Sequence, residues 1–372
     1  MTVLEGLLDG RDAPVVPIPS GDLRESDLLT TGLRVGEEID DEIALVIATS
    51  GTTGAPKGAM LTPAALIASA SATHDRIGGP GTWLLALPSH HIAGMQILVR
   101  SVVSGTVPAE LDLSAGFDPA ALPAAVAAMA GGRRYTSLVA SQLAKALTDP
   151  EATAALAELD AVLLGGGPTP RPVVDAAAAA GVTVVRTYGS SETSGGCVYD
   201  GLPLDGVELR IDNPDPSGAG RIVIGGATLA KGYRNPPSPD PFAEQGWFHT
   251  DDVGMVDDSG LLTVLGRVDD AISTGGLTVL PGEVEAVLGR HPAVAECAVF
   301  GVDDDELGQR VVAAVVLRAG SPVPRLADIR DFVGRSLDRT AAPREVHVLD
   351  ELPRRGIGKL DRAALISRVT NQ

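Results

Sequence analysis

Aromatic side chains are scarce in this 372-residue chain: five Phe, four Tyr and two Trp, 3% of the sequence. Since 44% of residues are hydrophobic, the core has to be built from Ala, Val, Leu and Ile. Lysine is as thinly spread. Lys57, Lys145, Lys231 and Lys359 are the only four, against twenty-five arginines (29 basic residues less four). A lysine kept in such a chain suits a place that wants a compact, flexible ammonium rather than a planar fork. Two cysteines, Cys197 and Cys297, are too few for a disulfide framework and read as reduced thiols of a cytosolic protein. No apolar run approaches the roughly 18 residues of a membrane-spanning helix. The start, "MTVLEGLLDGRDAPVV", lacks both a basic segment and a long apolar stretch, so no signal peptide is expected. A net charge of −19 and a pI near 4.6 argue against nucleic acid as a partner. The same charge repels small anions, so any anion site must be locally basic or rich in backbone N–H groups.

What is present is alternation. Short apolar runs ("IALVIAT", "WLLAL", "YTSLV", "AVLLG", "VTVVRTYG") are separated by Ala-rich stretches at 119–130, 151–158 and 171–180. That spacing predicts an α/β domain with a parallel or mixed sheet flanked by helices. Thr62-Pro63 reads as a helix start, a hydroxyl cap followed by proline in the first turn. Beyond residue 200 the texture turns to "VELRI", "RIVIGG" and "LLTVLG" between Pro, Gly and Asp turns, which predicts a small β subdomain. A helix at "PGEVEAVLGRH", strands "AECAVFGV" and "RVVAAVVL", a helix near 326–337 and a strand "EVHVL" form a last α+β block. The expected domains are 1–267 and 268–372.

Residues 49–58, "TSGTTGAPKG", follow an apolar strand with three glycines, four hydroxyls, a proline and a lysine. This is not the G-x-x-x-x-G-K-[ST] phosphate loop, because Lys57 follows proline and Gly58 follows the lysine. The logic is nonetheless similar: glycines turn N–H groups inward, hydroxyls add donors, and Lys57 brings charge to phosphate oxygens. In "YGSSET" (188–193), at a strand end, a Tyr188 face can stack on adenine and Glu192 can hold a Mg²⁺ that bridges ATP phosphates. "LLGGGPTP" (163–170) ends a strand in three glycines that could lie against a flat ring. "LPSHHIAGM" (87–95) sets two histidines before a helix, without metal-ligand spacing. In "GRVDDAISTGG" (266–276), the pair Gly275-Gly276 suits a loop that approaches a narrow ligand.

Together these strings, in this order, resemble the adenylate-forming ligases: acyl- and aryl-CoA synthetases, luciferases and peptide-synthetase adenylation domains. The resemblance implies a large N-terminal domain and a small mobile C-terminal one. It further implies ATP, Mg²⁺ and coenzyme A as cofactor and co-substrates. Thr49, Ser50, Gly51, Thr52, Thr53, Gly54 and Lys57 would then grip the β- and γ-phosphates. Gly165, Gly166 and Gly167 would face adenine and the acyl group. Tyr188, Gly189, Ser190, Ser191 and Thr193 would surround Glu192, with Ser191 replacing the usual threonine. His91 would line the acyl pocket, leaving His90 structural. "GWFHTDDVG" (246–254) resembles a motif in which Asp252 accepts both ribose hydroxyls, although Asp251 stands where glycine is usual. Arg267 would reach the ribose or phosphate, and Asp269 would be the hinge about which the small domain turns. In "LPRRGIGKLDR" (352–362), Lys359 matches the family's late catalytic lysine at the α-phosphate. Only 48 residues precede Thr49, fewer than is usual, so part of the first subdomain is expected to be missing.

Within the family, "ALPSHHIAG", "RRYTSLV" and "RTYGSSETSGGCVYDG" most resemble the short actinobacterial branch that activates o-succinylbenzoate for menaquinone synthesis. Another aryl or fatty acid remains open as the substrate, and so does a non-catalytic acyl or nucleotide binder. Retention of Lys57, Glu192 and Lys359 speaks against the binder. A dicarboxylic acid needs donors for its second carboxylate, and Arg134, Ser194 and Arg100 are the candidates. A homodimer is admitted, with no residue that specifies it.

Overall fold

The computed structural model describes residues 1–19, 21–49, 56–355 and 359–370, with residues 355 and 359 described by backbone only. Ser50, Gly51, Thr52, Thr53 and Gly54 of the expected phosphate loop lie outside the described residues. The chain divides into two compact units. One holds residues 1–168, 176–210 and 223–250; the other holds 169–175, 211–222 and 251–372. Residues 251–267, placed by the sequence with the first domain, fall in the second unit. No helix among the described residues is long and apolar enough to cross a membrane.

In the first unit, α1 (Thr2–Leu8) and α2 (Leu23–Gly32) precede an antiparallel ladder of β1 (Leu45–Thr49) and β2 (Lys57–Leu61). Thr49 is paired with Lys57. Lys57 and Gly58 of the phosphate-loop motif therefore open a second strand, where the sequence indicated a strand followed by a polar loop. The second strand forms because "KGAML" buries Ala59 and Leu61 completely against the core of α1 and β1. Helix α3 (Pro63–Ile77) starts as its residues require. The Thr62 hydroxyl accepts the Ala65 N–H at 3.1 Å, Pro63 fills the first turn, and Gly78 at φ +101° closes the end.

The main sheet comprises β3 (Thr82–Leu85), β4 (Ala109–Glu110), β5 (Arg134–Val139), β6 (Ala161–Gly165), β7 (Val184–Ser190), β8 (Gly195–Tyr199) and β9 (Leu202–Pro203). Their order is β4-β3-β5-β6-β7-β8-β9, parallel through β7 and antiparallel beyond it. Helix α4 (Ile92–Ser104) follows β3, and α5 (Leu122–Ala127), α7 (Pro150–Ala157) and α8 (Arg171–Ala179) form from the alanine-rich stretches. Helix α6 (Ala140–Ala146) runs directly on from β5. The few aromatics are concentrated: Trp83 and Tyr135 are fully buried, with ring centroids 5.0 Å apart.

Strands β10 (Val207–Asp212), β11 (Gly220–Gly226), β12 (Trp247–Val256) and β13 (Leu262–Arg267) pair in that order. In the second unit, β14 (Ile272–Thr274) and β15 (Leu277–Val279) meet at Gly275-Gly276, whose φ values of +57° and +80° demand glycine in a tight hairpin turn. Next come α9 (Pro281–Leu288), β16 (Val294–Asp304), β17 (Gly308–Leu317), α10 (Leu326–Val333), β18 (Glu345–Val348), β19 (Arg354–Arg355), β20 (Lys359–Leu360) and α11 (Arg362–Thr370). The sheet order is β15-β14-β17-β16, with β18 parallel to β17. Alternate residues of β16 and β17 build two cores. Val299, Val311 and Ala313 pack with α9 and α10, while Ala298, Phe300, Val312 and Ala314 pack with α11.

Candidate active site

In the first unit, β7 delivers Ser190 into a single 3₁₀ turn, Ser191–Thr193, which carries Glu192. The turn is held from within. The Ser190 N–H donates to Thr193 Oγ1 at 2.9 Å, and the Thr193 hydroxyl donates to the Gly195 carbonyl at 2.7 Å. A Cβ on Gly189 would lie 2.2 Å from that same carbonyl, so only glycine lets the chain close here. The Ser194 carbonyl accepts from Gln96 Nε2 at 2.7 Å and from the Ser69 hydroxyl at 3.0 Å, tying the turn to α4 and α3.

Glu192 is buried, and its Oε1 accepts the Tyr233 hydroxyl at 2.5 Å. Lys57 Nζ sits 5.6 Å from the centroid of the same tyrosine ring. The structure thus brings Lys57 and Glu192, from distant motifs, to one aromatic side chain. Tyr233 is the residue that sequence reasoning missed. Its available signal was scarcity, being one of four tyrosines and following the motif-like "KG". The segment that carries it is stitched on both sides. Ala230 N–H donates to the Glu192 carbonyl at 2.8 Å, Lys231 N–H to Met60 at 2.9 Å, and Arg234 N–H to Gly58 at 2.7 Å. The Asn235 amide donates to the Pro56 carbonyl at 3.0 Å, which fixes the chain where it leaves the phosphate-loop motif. Lys231 itself is an outward ion-pair residue, 2.6 Å from Asp40 and 2.7 Å from Glu42.

The other predicted residues of this unit take varied places. Thr49 ends β1, its hydroxyl 3.5 Å from the Lys57 carbonyl, and Tyr188 lies half-buried on β7 opposite Val198. Gly165 ends β6 close beside Thr187, since a Cβ there would be 2.4 Å from Thr187 Oγ1. Gly166 takes φ +84°, and Gly167 faces open space. His91 occupies the cap position of α4, accepting the Met95 N–H at 2.9 Å on its carbonyl, with its ring 4.2 Å from that of His90. Burial pushes the His90 imidazole below its ordinary value.

Of the three candidates for a second carboxylate, two are already engaged. Arg134 is paired with Glu158 at 3.3 Å, and the Ser194 hydroxyl donates to the Thr228 carbonyl at 2.8 Å. Arg100 is different. It is buried on α4, with its guanidinium 4.9 Å from the Trp83 ring centroid and a 3.3 Å hydrogen bond to the Tyr199 hydroxyl. Its Nε has no hydrogen-bond partner among the described residues.

In the second unit the sequence-predicted residues gather around Arg267. Asp252 faces it across the β12–β13 ladder, with Oδ1 3.7 Å from Nη1. Asp269 takes the guanidinium through two hydrogen bonds, 2.8 and 3.0 Å, and Asp251 adds a contact at 3.4 Å. The Asp269 hydrogen bonds lead in pushing the Arg267 pKa above its ordinary value. Asp251 is accommodated in β12 without a positive φ, so the strand tolerates an aspartate at the position the family pattern gives to glycine. Next to the hinge candidate, Asp270 pairs with Arg362 at 2.9 Å. Arg362 also reaches Glu285 at 3.1 Å and the Val299 carbonyl at 2.6 Å. That anchors the chain just beyond Lys359, whose backbone lies in β20 opposite Arg355.

Neither cysteine is a nucleophile candidate, because burial pushes Cys197 and Cys297 up to about 12. Among the described residues no group of three His, Cys, Asp or Glu side chains could hold a metal. A single buried carboxylate such as Glu192 instead fits Mg²⁺, a hard cation commonly held by one or two carboxylates plus substrate phosphates.

Over its full length the chain is 67% identical to the probable 2-succinylbenzoate–CoA ligase of Mycobacterium tuberculosis, covering 95% of that protein. It is 35% identical to the 2-succinylbenzoate–CoA ligase of a Geobacillus species, over 89% of this chain and 70% of that one. Among solved structures, the o-succinylbenzoate CoA synthetase of Bacillus subtilis, in complex with the acyl-adenylate intermediate OSB-AMP, superposes with a TM-score of 0.73. The two are 32% identical, over 87% of this chain and 69% of that one. The amide bond synthetase McbA of Marinactinospora thermotolerans superposes at 0.77 with 27% identity, over 89% and 71% of the two chains. The AMP-binding enzyme model matches residues 14–234 and its C-terminal domain model residues 283–359, so the chain belongs to the AMP-binding enzyme family.

Proposed function

We propose that this chain is an AMP-forming acid–CoA ligase that makes o-succinylbenzoyl-CoA from o-succinylbenzoate, ATP and CoA, a step of menaquinone synthesis. The observation that carries the substrate is the 67% identity, end to end, with a relative named for that reaction. In the first half-reaction a carboxylate oxygen attacks the α-phosphorus of ATP and pyrophosphate leaves. In the second, the CoA sulfur attacks the acyl carbon and AMP leaves with the electron pair of the C–O bond.

The chain's own groups divide the work into charge neutralisation and positioning. Lys57 and the loop from Thr49 grip the β- and γ-phosphates, and Glu192 holds Mg²⁺, which offsets phosphate charge when bound. Tyr188 and Gly165–Gly167 frame adenine, Asp252 takes the ribose hydroxyls, and Arg267 reaches ribose or phosphate. His91 lines the acyl pocket. Arg100, a buried cation with no carboxylate partner among the described residues, is the group assigned to the second carboxylate of the acid. Lys359 offsets charge at the α-phosphate, and rotation about Asp269, with 1–267 and 268–372 as the moving bodies, withdraws it for the thiol. A cytoplasmic enzyme and a homodimeric assembly complete the proposal.

Pyrophosphate release with a panel of acids tests it. Strong turnover is expected with o-succinylbenzoate and weak turnover with benzoate or octanoate. Comparable rates with octanoate would leave a ligase of another acid, and no release with any acid would leave a binder.

A further inference from the structure

We propose that Tyr233 is a positioning residue for adenylation, setting Glu192 through its hydroxyl and Lys57 through its ring. The inference rests on the reading of Glu192 as the Mg²⁺ ligand and goes beyond it. A carboxylate swings easily about its last torsion, which is broad rather than staggered. The 2.5 Å hydrogen bond from the Tyr233 hydroxyl pins Oε1 at the short distance of a charge-assisted contact, which commits the orientation of the whole group.

The chemistry of the partner matters as much as its distance. An arginine or lysine there would cancel the carboxylate charge and compete with a cation. A phenol orients the group and leaves its negative charge in place. Among the described residues Glu192 joins no ion pair, so its buried charge is supported by a neutral donor. On the ring face, the Lys57 ammonium at 5.6 Å is within reach of cation–π attraction, a contact that itself uses none of its N–H groups as hydrogen-bond donors. A cation over the ring also makes the phenol a better donor to Glu192. The two contacts therefore reinforce each other.

The backbone explains why the ring stays put. Tyr233 pairs with Ala59 in an antiparallel bridge, and Gly232 accepts the Met60 N–H at 2.9 Å. Ala230, three residues earlier, is bonded to the Glu192 carbonyl. The ring edge packs on Phe242, with centroids 5.3 Å apart. A purely structural tyrosine would need only the last of these contacts.

Tyr233→Phe separates the roles, since it keeps the ring and its packing and deletes only the hydroxyl. Adenylation, followed as pyrophosphate release across a Mg²⁺ titration at fixed ATP, is expected to need on the order of ten- to a hundredfold more Mg²⁺. Activity should recover at saturating Mg²⁺, and thioester formation from synthetic acyl-adenylate and CoA should be unchanged. Tyr233→Leu, which also removes the ring, is expected to raise the KM for ATP further through Lys57. An unchanged Mg²⁺ curve for Tyr233→Phe, alongside a shifted one for Glu192→Gln, overturns the role of Tyr233 alone. Unshifted curves for both variants overturn the reading of Glu192 as the metal ligand. Equal loss in both half-reactions, without rescue by Mg²⁺, marks Tyr233 as structural and also overturns the proposal.

Discussion

At the scale of single residues, burial decides which groups can change charge. His74 on α3 accepts the Trp83 indole N–H at 3.3 Å and lies within reach of the Arg100 charge. Burial first, and then Arg100, hold its pKa down at about 4 against an ordinary 6.5. The folded state therefore keeps His74 neutral at a pH where the unfolded chain takes up a proton. Stability should be full above about pH 6.5, fall as pH drops toward 4, and level off below that, by up to ~3 kcal/mol from this group. Urea unfolding of wild type and His74→Gln at pH 7.5, 6 and 5 checks the sign: the variant's stability should depend less on pH. The strings around Lys57 and Glu192 stand out in the sequence because they are contiguous and unusual, and the structure brings both side chains to Tyr233. The contact of Tyr233 with Glu192 does not stand out, because it is a hydroxyl meeting a carboxylate of another segment, and no local pattern encodes that.

Elements were legible where their signals are local. Thr62-Pro63 starts a helix as the sequence indicated, and the structure shows the same device at α7, where the Asp149 carboxylate accepts the Glu151 and Ala152 N–H groups ahead of Pro150. The β1–β2 ladder was not legible, since "KGAML" is short and its pairing depends on burial against distant residues. Helix α4 shows how an element can depend on one missing side chain. A Cβ on Gly94 would lie 2.3 Å from the Pro88 carbonyl oxygen, a backbone atom that cannot swing aside. Gly94→Ala should therefore cost about 1–3 kcal/mol as the first turn of the helix shifts. The KM for the acid should rise with it, because His91 caps that turn. A urea midpoint and an acid KM both equal to wild type would show that the turn yields without cost.

For the whole molecule, the two half-reactions provide the test of motion. Proline fixes φ and cannot donate a backbone hydrogen bond, so Asp269→Pro should trap one orientation of the small domain. Adenylate should form while thioester does not. Lys359→Ala should show the converse. It should barely make adenylate, slowed on the order of 10²–10³-fold, yet convert synthetic acyl-adenylate and CoA to thioester at near wild-type rate. Single-turnover assays of each half-reaction decide it, and equal damage to both in either variant would remove the two-conformation mechanism. Asp269 is also bonded to Arg267 in a 2.8 and 3.0 Å pair, so the proline variant frees an arginine as well as fixing a pivot. Arg267→Lys separates these effects, since it disturbs the pair and spares the backbone. The change of texture after residue 200 is visible in the sequence. The interleaving of the two compact units is not, because a compact unit is defined by which segments pack together, and sequence proximity does not report that.

The two compact units are interleaved along the chain: residues 169–175 and 211–222 belong with 251–372, although both are made long before it. On the ribosome, the first unit lacks its last segment until residue 250 has emerged, and the earlier pieces of the second must wait unpacked until the residues beyond 250 follow. Synthesis therefore cannot finish one body before beginning the other. A gene cut after residue 250 would also yield one fragment carrying 169–175 and 211–222 without the strands they belong with, and a second fragment missing both.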